Sequence, residues 1–312
     1  MQGTLLKAFG GFYFVQAAGE VFSCSLRGRL KLELKELPLG LIVGDSVEIT
    51  PLNEQLAGME AAFAGAPADM PKAVIEAILP RSNYLIRPKI ANVQQCLIVL
   101  AAKHPKPDFL LLDKLIVALL AMQIQPVIVL NKMDQNGAEK LLNELQVYRA
   151  ANIPVLPVSA AKEQGIEALK SLLNGKISAV AGQSGVGKST LLNLLQANQQ
   201  LATGDISRKL QRGRHTTRTV ELLPLSAGGW IADTPGFSRL DFPPEIKAED
   251  LAGFYPDFTA LAEGCRFDMC RHENEPDCRV KEAVAAGELS AERYQRYLAL
   301  LNLLANKNDR NY

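Results

Sequence analysis

The sequence lacks an excess of charge of either sign. Lys and Arg number 34 against 33 for Asp and Glu, which gives a formal net charge of +1 at pH 7. No global electrostatic field therefore points to a nucleic-acid partner, and any such interaction must rest on local patches. The 312 residues are enough for two or three domains with at least one sizeable core.

Long apolar runs are also missing. The strongest stretches, residues 96–102 and 110–122, are short or interrupted by Asp113 and Lys114, whereas a bilayer span needs about 20 apolar residues. Residues 1–7 do not combine a basic region with a long apolar core, so no signal peptide is expected. We expect a cytoplasmic protein without a membrane partner.

Cysteine is scarce, and its number, five, is odd. Three cysteines and one of the three histidines cluster late in the chain as C-x₄-C-x-H-x₅-C: Cys265, Cys270, His272 and Cys278. Three thiolates and an imidazole suit a closed tetrahedral site, so we predict one structural Zn²⁺ and no metal catalysis. A disulfide framework is disfavoured, and scattered free thiols are the alternative. Cys24 and Cys96 are predicted to be core residues.

Short, partly alternating segments separated by glycines fill the first 49 residues. Strand-like stretches lie at residues 3–6, 12–15, 21–26, 30–34 and 43–49. Five strands with glycine turns predict a small β-barrel of the OB-fold type within residues 1–70. A barrel without a binding role is the alternative, because a fold alone does not specify function. Residues 56–71 are rich in Ala, Gly and Pro and are predicted to form a loop or linker.

Strand and helix patterns alternate between residues 71 and 242. Apolar strands at 96–101, 126–130, 155–158 and 176–181 are separated by helical patterns at 109–122, 138–150 and 166–173. This alternation predicts a parallel sheet flanked by helices. Residues 243–312 turn polar, carry the cysteine cluster and end in a predicted helix at 291–304. The predicted fold class is therefore multidomain α/β: a barrel, an α/β domain and a zinc-binding helical module.

Residues 182–189 read GQSGVGKS and match the phosphate-loop pattern G-x-x-x-x-G-K-S. A strand precedes the motif and an apolar helix follows it, which disfavours a chance glycine-rich turn. The glycines allow backbone N–H groups to converge on phosphate oxygens at a helix N-terminus. Lys188 would neutralise the β- and γ-phosphates, and the Ser189 hydroxyl would ligate Mg²⁺.

A second motif, Asn131-Lys132-Met133-Asp134, follows a predicted buried strand. The Asp134 carboxylate can accept from the ring N–H and the exocyclic amine of guanine, whereas adenine offers no matching donor pair. Alone, this tetrapeptide fits a solvated loop. With a phosphate loop and the Ser159-Ala160 pair after another strand, it predicts GTP rather than ATP, and it disfavours a metabolic ATP kinase.

Two further segments complete the predicted nucleotide site. Asp233, in an Asp-Thr-Pro-Gly stretch, is expected to hold Mg²⁺ through water, and the Gly236 N–H to contact the γ-phosphate. Residues 208–218 form a basic stretch in which Thr217, rather than Thr216, is expected to ligate Mg²⁺. A simple Pro-Gly turn and a solvated cationic loop are the respective alternatives.

These motifs predict a site for GTP or GDP with Mg²⁺. The residues expected to contact the nucleotide or its metal ion are Asn131, Lys132, Asp134, Ser159, Ala160, Gly182, Gln183, Ser184, Gly185, Val186, Gly187, Lys188, Ser189, Thr190, Thr217, Asp233 and Gly236.

The order of the motifs is unusual, because the base-reading segment precedes the phosphate loop. The whole series, closed by the Cys-Cys-His-Cys cluster, resembles the bacterial ribosome small subunit-dependent GTPase A family over essentially the whole chain. The resemblance implies a circularly permuted GTPase with an OB-fold and a zinc module. It also implies late maturation of the 30S subunit, contact with 16S rRNA near the decoding region, and GTP hydrolysis stimulated by the subunit.

One position departs from ordinary GTPases. Phe237 stands where Ras-type enzymes place a water-orienting glutamine, and it cannot orient water by hydrogen bonding. His215 in the basic stretch is the candidate to do so in cis, with Lys188 as the other predicted catalytic residue. The alternatives are that His215 contacts RNA or solvent, or that the ribosome supplies the group.

The remaining predictions concern partners. Arg27, Arg29, Lys31 and Lys35 form a candidate rRNA contact on the barrel, with surface solvation as the alternative. A GTPase serving the large subunit or a tRNA, and an RNA-binding scaffold with incidental hydrolysis, are the rival functions. We expect a monomer.

Overall fold

The computed structural model describes residues 1–34, 39–52, 63, 65–67, 69–86, 88–196, 220–233 and 241–308. The chain divides into two compact units, one of residues 1–94, 170–180 and 195–237, the other of residues 95–169, 181–194 and 238–312. Among the described residues, no helix has both the length and the apolar character that a membrane span requires.

The first unit begins with a closed five-stranded barrel. Its strands are β1 (Gln2–Phe9), β2 (Phe12–Ala17), β3 (Glu20–Leu26), β4 (Ser46–Pro51) and β5 (Lys72–Ile78), in the order β1-β2-β3-β5-β4. β1 pairs antiparallel with both β2 and β4, and β3 runs parallel to β5. Leu5, Val15, Cys24, Ile49 and Ile75 fill the interior. The predicted OB-fold barrel and the core position of Cys24 are confirmed.

One predicted barrel strand is wrong. Residues 30–34 do not form a strand, because helix α1 spans Gly28–Glu33. Leu30 is buried and Leu34 packs against the barrel core, whereas the exposed fraction of Leu32 is 65%. Leu30 and Leu34 lie one helical turn apart, so an alternating sequence pattern also satisfies one face of a helix. The fifth strand is instead β5, which begins beyond residue 70.

A six-stranded sheet carries the α/β part of the chain. Its strands are β8 (Gln95–Ala101), β9 (Gln125–Asn131), β10 (Val155–Pro157), β11 (Ile177–Ala181), β12 (Glu221–Pro224) and β13 (Trp230–Asp233), in the order β10-β9-β8-β11-β13-β12. A separate two-stranded hairpin joins β6 (Tyr84–Ile86) to β7 (Lys89–Ala91). Three pairs in this sheet are parallel: β8–β9, β9–β10 and β11–β13. The β12–β13 pair is antiparallel.

Helices follow the strands as the alternating pattern predicts. They are α2 (Phe109–Ala121), α3 (Ala138–Glu144), α4 (Gln146–Ala150), α5 (Ile166–Leu173) and α6 (Lys188–Leu195). β8 and β11 are buried along their whole length, which explains their continuous apolar sequence and the burial of Cys96. The single helix predicted at 138–150 is divided between α3 and α4, with Leu145 between them.

The C-terminal part of the second unit is helical. A 3-10 helix (Ala248–Phe254) is followed by α7 (Pro256–Ala262), α8 (Arg279–Ala285) and α9 (Ala291–Asn308). Tyr255, Phe258 and Tyr297 pack with ring centroids 4.9–5.1 Å apart and form its aromatic core.

A buried ion network joins α9 to α2. The Asp113 carboxylate in α2 accepts hydrogen bonds from Arg293 at 2.9 Å, from Arg296 and from the Tyr148 hydroxyl at 2.8 Å. Arg293 also donates to Asp257 at 2.8 and 3.1 Å. Each carboxylate thus has a guanidinium partner, which is the condition for burying such charges.

Candidate functional site

The phosphate loop lies between the end of β11 and the start of α6. A Cβ atom added at Gly182 would lie 2.4 Å from the Val99 carbonyl oxygen, and one at Gly187 would lie 2.3 Å from Asn131 Nδ2. Both glycines also have positive φ, +139° and +99°, so the close approach and the backbone conformation each require glycine. Glycine is therefore required at both positions by the packing of the loop against β8 and Asn131, and the main-chain N–H groups of such a loop are suited to bind phosphate.

Lys188 lies at the start of α6 with its ammonium turned into the loop. Its Nζ donates to the carbonyl oxygens of Gly182 and Gln183, both at 2.7 Å. Burial lowers the pKa of Lys188. The adjacent Ser189 and Thr190 are exposed, so the hydroxyl proposed for Mg²⁺ is accessible.

Asn131 connects three loops at the end of β9. Its Nδ2 donates to the Val186 carbonyl at 2.9 Å, and its Oδ1 accepts from the Ala160 N–H at 3.0 Å. The side chain is 2% exposed, and both ends of the amide are satisfied. The base-reading segment, the phosphate loop and the Ser159-Ala160 segment are thereby brought together, as the sequence predicts.

Lys132 ties a further loop to this site. Its Nζ donates to the carbonyl oxygens of Gly185 at 2.7 Å and His104 at 2.6 Å. The sequence analysis missed the contribution of His104, because a backbone carbonyl leaves no residue-type signal. Its position directly after the buried strand β8, at the edge where β9 ends, was the only available clue.

Asp134 is exposed and ready to accept hydrogen bonds. The Ser159 hydroxyl donates to its carboxylate, and this bond, with Coulombic help from Lys162 and Lys132, holds the pKa of Asp134 below its ordinary value. An ionised carboxylate offers acceptors only, which matches the two N–H donors on the guanine edge. Ser159 therefore orients the Asp134 carboxylate, which is the predicted base-reading group, and lowers its pKa further.

Part of the predicted site lies outside the description. His215, Thr217 and Gly236 fall outside the described residues, and of Asp233 only the backbone is described, in β13 opposite Glu221. Their roles stay predictions.

The four predicted metal ligands converge in the second unit. The ligand atoms of Cys265, Cys270, His272 and Cys278 all lie within 4.8 Å of one another. The Sγ atoms of Cys265 and Cys278 are 3.9 Å apart, and His272 Nδ1 lies 3.7 and 3.3 Å from them. A tetrahedron with Zn–S of about 2.3 Å has S–S edges of about 3.8 Å. The described separations therefore fit a single zinc ion.

The surroundings of the cluster favour a metal as well. Burial lowers the pKa of His272, so its ring is neutral, as a metal ligand must be. Burial raises the pKa of the Cys270 thiol to about 12. The Tyr294 and Tyr297 hydroxyls hold the loop by donating to the carbonyls of His272 and Arg271 at 2.7 and 2.6 Å.

Comparison with known proteins agrees with this geometry. A family model described as RsgA GTPase matches residues 78–243, and one described as the RsgA N-terminal domain matches residues 2–59. Proteins named small ribosomal subunit biogenesis GTPase RsgA are similar over nearly their full length. The one from Moorella thermoacetica is 46% identical over 303 residues, 96% of each chain. The one from Caldanaerobacter subterraneus subsp. tengcongensis is 42% identical over 312 residues, 100% of this chain and 98% of its own.

Solved structures give the same result. YjeQ from Thermotoga maritima superposes with a TM-score of 0.77 at 34% identity and covers 97% of this chain and 98% of its own. YloQ, described as a circularly permuted GTPase, superposes with a TM-score of 0.76 at 33% identity. The match covers 98% of this chain and 95% of the YloQ chain. The resemblance read from the motif order is confirmed: the chain belongs to the RsgA GTPase family and is a circularly permuted GTP hydrolase.

Proposed function

We propose that this GTPase binds the small ribosomal subunit late in its maturation, hydrolyses GTP under stimulation by the subunit and leaves after hydrolysis. The observation that carries the proposal is the joining of the three nucleotide loops by Asn131, in a chain similar throughout to proteins named for small-subunit biogenesis. The 16S rRNA is the proposed contact, and the protein acts as a monomer.

Guanine is read by Asp134, and the phosphates lie in the loop of residues 182–189. The Asp134 carboxylate, oriented by Ser159, accepts the two N–H donors of the base. Lys188 moves its ammonium from the loop carbonyls to the β- and γ-phosphates, which are stronger acceptors. Ser189, Thr217 and Asp233 would hold Mg²⁺, which neutralises charge on the phosphates.

Hydrolysis transfers the γ-phosphoryl group from GDP to water, so its rate depends on positioning the attacking water. Phe237 offers no polar atom for this task. His215 accepts from that water or donates to the γ-phosphate. Gly236, through its N–H, senses the γ-phosphate.

The chain order supports a timer. In the proposed division, an N-terminal barrel, extended past the predicted boundary at residue 70 to include β5, and a zinc module of residues 243–312 flank the GTPase domain. The segment after Gly236 leads through Asp241 and Phe242 into the zinc module. Lys114 of α2 pairs with Asp241 at 2.9 Å and lies 5.6 Å from the centre of the Phe242 ring. GTP would order the basic stretch and this segment, and hydrolysis would relax them and weaken the grip on the subunit.

On the barrel, α1 offers the proposed rRNA contact. The Arg29 side chain is 88% exposed and pairs with Glu33 of the same helix, and Arg27 pairs with Glu76. Lys31 is exposed, and Lys35 lies outside the described residues. These side chains would meet phosphates of the 16S rRNA.

Steady-state GTP hydrolysis tests the proposal. We expect the rate to rise when purified 30S subunits are added and to stay at its basal value with 50S subunits. A chain stimulated equally by both particles, or by neither, would contradict a role specific to the small subunit.

A further inference from the structure

Three basic side chains lie together on the loop of residues 102–107, between β8 and α2, which we call the β8–α2 loop. Lys103, His104 and Lys106 are all exposed. Among the described residues, neither Lys103 nor Lys106 forms an ion pair with a carboxylate. Lys140 of the same unit shares this property, but Lys103 and Lys106 lie only three residues apart on one loop. The loop therefore presents two positive charges that the described chain does not neutralise.

The loop is held in place beside the phosphate loop. At its start the Ala102 N–H donates to the Asn131 carbonyl at 2.9 Å. In its middle, the His104 carbonyl accepts a hydrogen bond from the Lys132 ammonium. The same ammonium donates to the Gly185 carbonyl of the phosphate loop. At its end Asp108 caps α2 by accepting from the Leu111 N–H at 3.0 Å. Pro105 and Pro107 restrict the backbone further. The two lysines therefore extend from a loop whose backbone is held in place.

We propose that the β8–α2 loop is a contact for the phosphate backbone of the small-subunit RNA, placed at the rim of the nucleotide site. This inference rests on the proposed function. Lysine is a compact point charge suited to phosphate, and the chain as a whole, at a net charge of +1, provides no general attraction for RNA. Unneutralised local charge is therefore what such a contact needs.

The position of the loop gives the contact a consequence. Because Lys132 holds both His104 and Gly185, RNA bound to the β8–α2 loop lies one side chain away from the phosphate loop. A displacement of the Gly185 carbonyl on nucleotide binding would then be passed through Lys132 to the β8–α2 loop. The nucleotide state would then alter the contact with the subunit RNA at this loop by a route that does not pass through the zinc module.

The double variant Lys103→Ala/Lys106→Ala tests the proposal. Its binding to purified 30S subunits, with a non-hydrolysable GTP analogue, is measured across a salt series. Each lost phosphate contact should lower the magnitude of the slope of log K against log[salt] by about 0.7, so the loss of two contacts should lower it by about 1.4. If both proteins bind equally at about 1 M salt, this slope change corresponds to about 25-fold weaker binding of the variant at about 0.1 M salt. The control Lys140→Ala/Lys247→Ala removes the same charge from other exposed positions of the second unit and should leave the slope unchanged.

Two further readouts keep the outcomes distinct. GTP affinity and basal hydrolysis of the loop variant should match the unchanged chain, whereas a fall in GTP affinity would assign the lysines to the nucleotide and overturn the RNA contact. A photo-crosslinker placed at position 106 should attach to rRNA, and attachment to ribosomal protein alone would also overturn it. If the loop variant shows the same slope of log K against log[salt] as the unchanged chain, only this inference is refuted. If the unchanged chain itself does not bind 30S subunits, the proposed function is refuted.

Discussion

Replacing Asp113 by alanine should loosen the C-terminal helix from the GTPase core. The Asp113 side chain is fully buried and accepts from Tyr148, Arg293 and Arg296. The Arg293 side chain is only 3% exposed and, among the described residues, would keep the Asp257 carboxylate as its partner. Asp113→Ala therefore halves the carboxylate pairing of Arg293 and removes the carboxylate that Arg296 contacts.

Breaking a buried ion pair from one side costs about 3–5 kcal/mol, because the remaining charge stays desolvated. A single free energy of unfolding is poorly defined for a chain of several domains, so native-state hydrogen exchange is the better assay. Amides of α2 and α9 should exchange roughly two to three and a half orders of magnitude faster, since about 1.4 kcal/mol corresponds to a factor of ten.

Glu288→Ala is the matched control. It removes one of the two carboxylates that pair with Arg279, in a pair whose side chains are 36% and 51% exposed. Such pairs contribute about 0.2–1 kcal/mol. Asp113→Asn, which keeps an acceptor but removes the charge, should lie between the two. If α9 exchanged no faster in Asp113→Ala than in Glu288→Ala, the network would not hold the helix.

Three other changes address the nucleotide and zinc sites. Asp134→Asn should shift preference from GTP to xanthosine triphosphate, whose extra carbonyl restores the pairing; competition binding with unchanged GTP selectivity would refute the base-reading role. His215→Ala should lower 30S-stimulated turnover with nearly unaltered GTP affinity, and normal turnover would exclude His215 as the water-positioning group. Cys265→Ser should release one zinc, measured by elemental analysis, and make residues 243–308 sensitive to protease. A native chain that is stable without metal would contradict the structural zinc.

Local motifs were predictable because their chemistry needs a particular backbone. Gly182 and Gly187 must leave space for Val99 and Asn131, and Asp134 follows a buried strand as the predicted base-reading role requires. The convergence of Cys265, Cys270, His272 and Cys278 was predictable because these residues lie close along the chain.

Features that depend on distant parts of the chain were missed. β5 is needed to close the barrel, yet its pairing with β3 and β4 depends on closure of the whole sheet rather than on its own sequence. Asp113 looked only like an interruption of an apolar helix, because its partners Arg293 and Arg296 lie in the last helix. Leu30, Leu32 and Leu34 alternate as the residues of a strand do, but Leu30 and Leu34 are also spaced by one helical turn. The pattern therefore fits a strand and a helix equally well.

Asn131 explains how this enzyme tolerates its rearranged chain. The amide side chain, rather than the peptide connection, joins the three recognition loops. These two hydrogen bonds do not depend on which of the loops comes first along the chain. A permuted order of the loops is therefore compatible with the same local contacts.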